Sequence, residues 1–397
     1  MMTSPVRESC SPQKVRRLSS SDKLTPIVHP THWKPGRHGG HPPHAAPAGA
    51  SGTASRTGLA SPPALPSGAH PMNDPAHSHA DAVPAGCPFK AHGARPDTRV
   101  PGPVYRKPFW KPRLAEVRRE IASLDARRDC QRIVHLLTNY EFPFDVQRAT
   151  EVALFHTYGS RSVSTLLDRT SEFSKRGQKR YDDTRLLIAQ FMECGWDVEA
   201  GRRSLEQMNH IHSFFRIPNE DFLFVLWTFI EFPIQWMDDF GWRPFTAHER
   251  EAWFHYWCEI GRRMGLKDIP PDRAAFDAYV RDYEAREFVP SEASHRVAQA
   301  TVDILAGWVP RPLRPLVPPI SLGLVPPRLL PAIQFDAPPS WVKGLTRAAL
   351  KVRKHVKRYV SLERYPTPIE GSLNRTYPGN AYRIEHLGPD YAHRDAK

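Results

Sequence analysis

From Pro108 to Trp308 apolar residues recur at intervals of three and four, the spacing that lines one face of an α-helix. The pattern predicts helices over 114–124, 133–137, 146–158, a short one from 162, then 180–195, 198–215, 221–238, 247–264, 272–287 and 291–308. Punctuation supports these limits. Asp145, after the break at Tyr140–Asp145, and Asn219, after Ile217–Pro218, are expected N-caps. Gly177 is expected to separate two helices, Thr246 and Glu249 have the spacing of a capping box, and Gly265 is expected to end the helix that box starts. No stretch alternates with a period of two, so the expected fold class is all-α, a single multi-helix domain.

The ends of the chain read differently. Residues 1–104 mix Pro, Ala, Gly, Ser and His without apolar periodicity and are expected to be a disordered tail. Residues 105–309 form the expected helical domain. Residues 310–397 form a Pro-rich wrap, a basic amphipathic helix over 341–359 and a tail. Met72 is an alternative start, which would leave residues 1–71 outside the native protein, and His41, His44, His70, His77 and His79 read as tail histidines rather than a metal site.

Composition narrows the function classes. The net charge of +13 resolves into +6 over residues 1–100 and +7 over Lys343 to Arg358, leaving the rest of the chain neutral, so no specific nucleic-acid partner is expected. The basic helix is expected either to touch a membrane surface peripherally or to present a solvated face. Five widely spaced cysteines argue against a disulfide framework and for a reducing compartment. The first residues after Met1 are polar, and the most apolar run, 222–236, contains Glu231 and Pro233. A cytoplasmic protein, peripheral to a membrane at most, is expected. Oligomeric state has no signature here.

Two polar clusters stand out against the apolar pattern. Arg180, Asp183 and Thr184, at i, i+3 and i+4, put a cation, a carboxylate and a hydroxyl on neighbouring positions of one helix. In the helix over 198–215, Leu205, Met208, Ile211, His212 and Phe215 form one stripe, so His212 points where the apolar residues point and His210 does not. An inward histidine is either a satisfied core residue or a ligand. Imidazole is a usual axial ligand of haem iron, and Arg180 and Thr184 could hold dioxygen or a propionate, with Asp183 orienting Arg180 or taking a proton. Phe214, Phe215, Phe222, Trp227 and Phe229 could line a channel or fill the core. Other chemistries lack their residues: His248-Glu249 has no second zinc histidine, and neither a Glu-x-x-His pair of the di-iron bundle type, a Gly-rich phosphate loop, a nucleophile elbow nor a Cys-x-x-Cys-His haem attachment occurs.

Arg180-Tyr181-Asp182-Asp183-Thr184, Met208-Asn209-His210-Ile211-His212, Ile217-Pro218-Asn219-Glu220-Asp221-Phe222 and Gly241-Trp242-Arg243-Pro244, in that order, resemble the family joining mycophenolic-acid side-chain oxygenases of the MpaB type with bacterial latex-clearing rubber oxygenases. The resemblance covers about 140–288. It implies an all-helical haem b protein that cleaves isoprenoid double bonds with dioxygen. It implies His212 as the proximal iron ligand, and Arg180 and Thr184 as distal residues. The rubber-cleaving branch has a lysine as the other axial ligand three residues after that arginine. Asp183 at this position implies an open or water-occupied distal side and a substrate other than polymeric rubber. The alternative expectation is a non-catalytic helical protein that binds haem or lipid.

Overall fold

The computed structural model describes residue 100 and residues 102–108, 113–360, 365–368 and 374–394. The tail over 1–99, the Met72 start and the tail histidines lie outside the described residues.

Thirteen α-helices and no strand occur among the described residues: α1 Ala115–Ser123, α2 Cys130–Leu136, α3 Pro143–Thr157, α4 Arg161–Thr170, α5 Glu172–Cys194, α6 Glu199–Ser213, α7 Asn219–Asp239, α8 Ala247–Arg263, α9 Arg273–Glu287, α10 Glu292–Gly307, α11 Val317–Leu322, α12 Leu329–Ala332 and α13 Ser340–Tyr359. A π-helical turn, Leu137–Glu141, continues α2.

Caps account for several of these boundaries. Thr246 and Glu249 form the expected capping box, while Asp272 and Ser291 accept backbone N–H groups at the starts of α9 and α10. Two expected caps do other work. Asp145 lies inside α3, where its buried carboxylate accepts from Trp236 Nε1 at 3.1 Å and Arg353 at 2.8 Å; Pro143 opens the helix instead. Asn219 bridges to the loop after α8, donating to the Lys267 carbonyl at 2.9 Å and accepting from its N–H at 3.0 Å.

The break expected at Gly177 falls one residue earlier, where the non-helical backbone of Arg176 divides α5 into two helical segments; a Cβ at Gly177 would lie 2.6 Å from Ile304 Cδ1 of α10. The glycine permits a close helix crossing.

The core gathers around α7, the most apolar helix, which packs against α3, α8 and α9. Trp253 and Tyr256 of α8 and Phe224 of α7 are fully buried there, and the Trp253 indole donates to the Phe229 carbonyl at 3.0 Å. Arg243 is clasped between the buried carboxylates of Glu141 (2.9 Å) and Glu249 (2.6 Å). A smaller apolar cluster joins Phe155, Val297 and Val302 to Leu322, Leu329 and Ile333, so the Pro-rich segment wraps apolar surface as expected.

Cys130 and Cys258 are buried free thiols, whereas Cys194 is disulfide-bonded. No helix among the described residues is long and apolar enough to cross a membrane.

Candidate functional site

α5 and α6 form a tight pair because Gly201 has no side chain: a Cβ there would sit 1.8 Å from the Gly195 carbonyl oxygen. The pairing puts Arg180, Thr184 and His212 on the wall of one cavity of about 300 Å³, which α3, α4, α7, α8 and α10 complete. The wall is mainly apolar, with Met208, Ile211, Val225 and Leu226 among its side chains.

Of the five aromatic residues singled out in the sequence, Phe215, Phe222 and Phe229 line the cavity. Trp227 is buried elsewhere, donating to Asp277 at 2.7 Å, and Phe214 is exposed against Tyr391. His210 lies edge-on to Phe214 and takes no part in the wall.

His212 meets the edge of Phe222 at 5.3 Å between ring centroids, and its Nδ1 is buried with no hydrogen-bond partner. Burial, and then the charge of Arg180, push its pKa down to about 4. The ring is therefore neutral at pH 7. A buried nitrogen lacking a partner is costly unless something else engages the ring, since an unmade hydrogen bond there forfeits about 1–3 kcal/mol.

Arg180 stands one helical turn from Thr184. Its guanidinium donates to the Thr184 hydroxyl, which in turn donates to the Arg180 carbonyl at 2.9 Å. The guanidinium also lies 5.7 Å from the Phe173 ring centroid. Among the described residues no carboxylate pairs with it, so the cavity keeps an unneutralised cation held in one orientation.

Asp183 does not orient Arg180. Its carboxylate accepts from Lys179 Nζ at 2.8 Å and from the Tyr377 hydroxyl at 2.6 Å, and it is absent from the cavity wall. Helical geometry explains the divergence, because positions 183 and 184 differ by about 100° around the axis and the cavity lies on the Thr184 side. Burial holds the Asp183 pKa above the usual carboxylate value despite both donors.

The partner Tyr377 belongs to a C-terminal strap, residues 374–394, laid across α5 and α6. Thr376 donates twice to Asp182, Gln190 donates to the Tyr382 hydroxyl at 2.6 Å, Arg203 pairs with Glu385 at 2.6 Å, and Gln207 donates to the carbonyls of Leu387 and Ala392. These bonds bring Pro389 and Tyr391 to the cavity wall. Sequence periodicity gave no sign of this strap.

It also missed Glu151, Glu172 and Asp221, three carboxylates on the same wall, of which Glu172 pairs with Arg176 at 2.8 Å. Burial raises the pKa of Glu151 and of Asp221, opposed at Glu151 by Arg148 and the Tyr181 hydroxyl and at Asp221 by the hydroxyls of Ser162 and Tyr283. The Trp257 indole N–H, also on the wall, has no acceptor.

Among the described residues no three His, Cys, Asp or Glu side chains converge as they would around a bare metal ion. What the cavity offers is a single neutral imidazole in apolar surroundings, a donor set that suits a metal carried in its own macrocycle. This donor set fits a haem, which His212 would hold.

The fold and this cavity define the class: an all-helical protein with an apolar cavity between its helices, an imidazole with one buried, unpartnered nitrogen and one guanidinium without a carboxylate partner. Residues 161–354 match the family described as "ER-bound oxygenase mpaB/B'/Rubber oxygenase, catalytic domain". Similar proteins include the ER-bound oxygenase mpaB' of Penicillium brevicompactum, 29% identical over 244 residues that make up 57% of this chain and 57% of the relative. The ER-bound oxygenase mpaB of Penicillium roqueforti is 29% identical over 194 residues, 44% of this chain and 65% of the relative. The ER-bound oxygenase mpaB of Penicillium brevicompactum is 29% identical over 189 residues, 43% of this chain and 48% of the relative. The chain thus spans about half to two thirds of the length of the relatives it matches. The matched stretch stops short of Pro389 and Tyr391.

Proposed function

We propose that this chain is a haem b-dependent oxygenase that uses dioxygen to cleave a carbon–carbon double bond of an apolar, isoprenoid-like alkene. The observation that carries the reading is His212, a neutral imidazole with a buried, unpartnered nitrogen on an apolar cavity shared with Arg180 and Thr184. The family match supports the oxygenase class.

When bound, haem supplies the iron at which dioxygen is activated. His212 would hold the iron, and its low pKa leaves a nitrogen lone pair available at neutral pH. Arg180, fixed by Thr184, would stabilise negative charge developing on oxygen, an effect strengthened where water is excluded. Phe215, Phe222 and Phe229 would keep the alkene in an apolar slot. Placing both atoms of one dioxygen across the double bond gives two carbonyl groups and needs no separate reductant. Asp183 enters as an anchor for the strap rather than as a proton carrier.

The test is product analysis with haem-loaded protein, isoprenoid alkenes and isotopically labelled dioxygen. Aldehydes or ketones carrying the label are expected. Haem retention without any such product would favour a non-catalytic haem- or lipid-binding protein.

A further inference from the structure

α13 is oriented opposite to the expectation for a solvated basic helix. Its inner side takes cations: Arg347 pairs with Asp239 at 2.7 Å, Arg353 with Asp145 at 2.8 Å, and Lys354 donates to the Asp238 carbonyl at 2.9 Å, while Leu350 packs against the core. The outer side is apolar. Trp341, Leu345, Val352, Val356 and Tyr359 fall within about 60° of arc at 100° per residue, and they are between 53% and 72% exposed.

α11 packs on α13, and Leu313, Leu316 and Ile320 are further exposed apolar residues of the 311–322 segment. Arg311, Arg314, Lys351 and Arg358 are exposed on these two segments, and neither 309–335 nor 340–359 contains an acidic residue.

We propose that this patch is a docking surface for an anionic phospholipid bilayer, with α13 lying flat at the headgroup boundary. The apolar stripe would enter the acyl region, the exposed cations would meet lipid phosphates, and Trp341 and Tyr359 at the two ends would sit at headgroup level, where amphipathic rings are favoured. A second copy of the chain fits less well, because a face-to-face pairing would oppose two sets of cations without an acid between them.

The experiment is co-sedimentation of the full chain with vesicles of phosphatidylcholine alone and of phosphatidylcholine with phosphatidylserine, at low and high salt. Binding to the anionic vesicles is expected to exceed binding to the neutral ones by roughly tenfold or more and to weaken with salt. The variant L345E/V352E/V356E, whose sites are exposed, is expected to keep the urea midpoint of the parent and lose the binding. K351E/R358E is expected to lose only the preference for anionic lipid. Absence of binding to anionic vesicles, undiminished binding by the triple variant, or indifference to lipid charge would overturn the proposal. So would a dimer, seen by light scattering without lipid, that the triple variant dissociates.

Discussion

Replacing Tyr377 by Phe isolates the part that Asp183 plays. The substitution removes one hydroxyl and leaves the ring in place. Asp183 has only 3% of its side chain exposed, and one of the donors to its carboxylate, beside Lys179 and the Gly388 N–H, is the Tyr377 hydroxyl at 2.6 Å. Losing a hydrogen bond to a buried charged group costs about 1.5–3 kcal/mol, a factor of roughly 10 to 100 in the closing equilibrium of the strap. Lys179 retains its bond to the Gly388 carbonyl, so Asp183→Asn weakens the same contact from the other side. A double-mutant cycle of the two substitutions is therefore expected to show coupling of about 1–2 kcal/mol. Urea unfolding followed by tryptophan fluorescence measures the global effect. Tryptic cleavage after Arg375, Arg383 or Arg394 reports local release of the strap. Single substitutions within about 0.5 kcal/mol of the parent, with additive effects and unchanged cleavage, would refute the anchoring role.

Other substitutions test the scaffold and the site. Arg243→Met strands Glu141 and Glu249, whose side chains are 0% and 3% exposed, and should cost about 3–5 kcal/mol in urea unfolding. The paired variants Trp253→Phe and Trp257→Phe should differ: the first gives up a bond to the Phe229 carbonyl and should cost about 1–2 kcal/mol more than the second, whose indole N–H has no acceptor. Equal losses would contradict that assignment. Because His212 becomes protonated only near pH 4, haem held by it should be retained from pH 8 to about 5, with the loss setting in as the pH approaches 4. A release midpoint near pH 6.5 in a spectroscopic titration would mean that the imidazole is not buried as described.

Local signals in the chain reached the features that local physics decides. Helix periods, the Thr246 capping box, the pairing of Arg180 with Thr184 and the choice of His212 over His210 all follow from 3.6 residues per turn. Features set by distant partners were out of reach. Asp183 meets a tyrosine 194 positions away, and Asp145 is held by Arg353 across 208 positions. Neither side chain differs locally from a helix-surface acid. The same holds for α13, whose amphipathic pattern is plain in the sequence although the side that docks on the protein is selected by Asp145, Asp238 and Asp239.

The central claim is that His212 holds haem iron, and an absorption spectrum addresses it directly. Full-length protein purified after expression with haem supply is expected to show a Soret band that Asp183→Asn leaves in place and His212→Ala abolishes, with the variant still folded by circular dichroism. A parent protein without a Soret band, or a His212→Ala variant that retains haem with an unchanged spectrum, would contradict the claim.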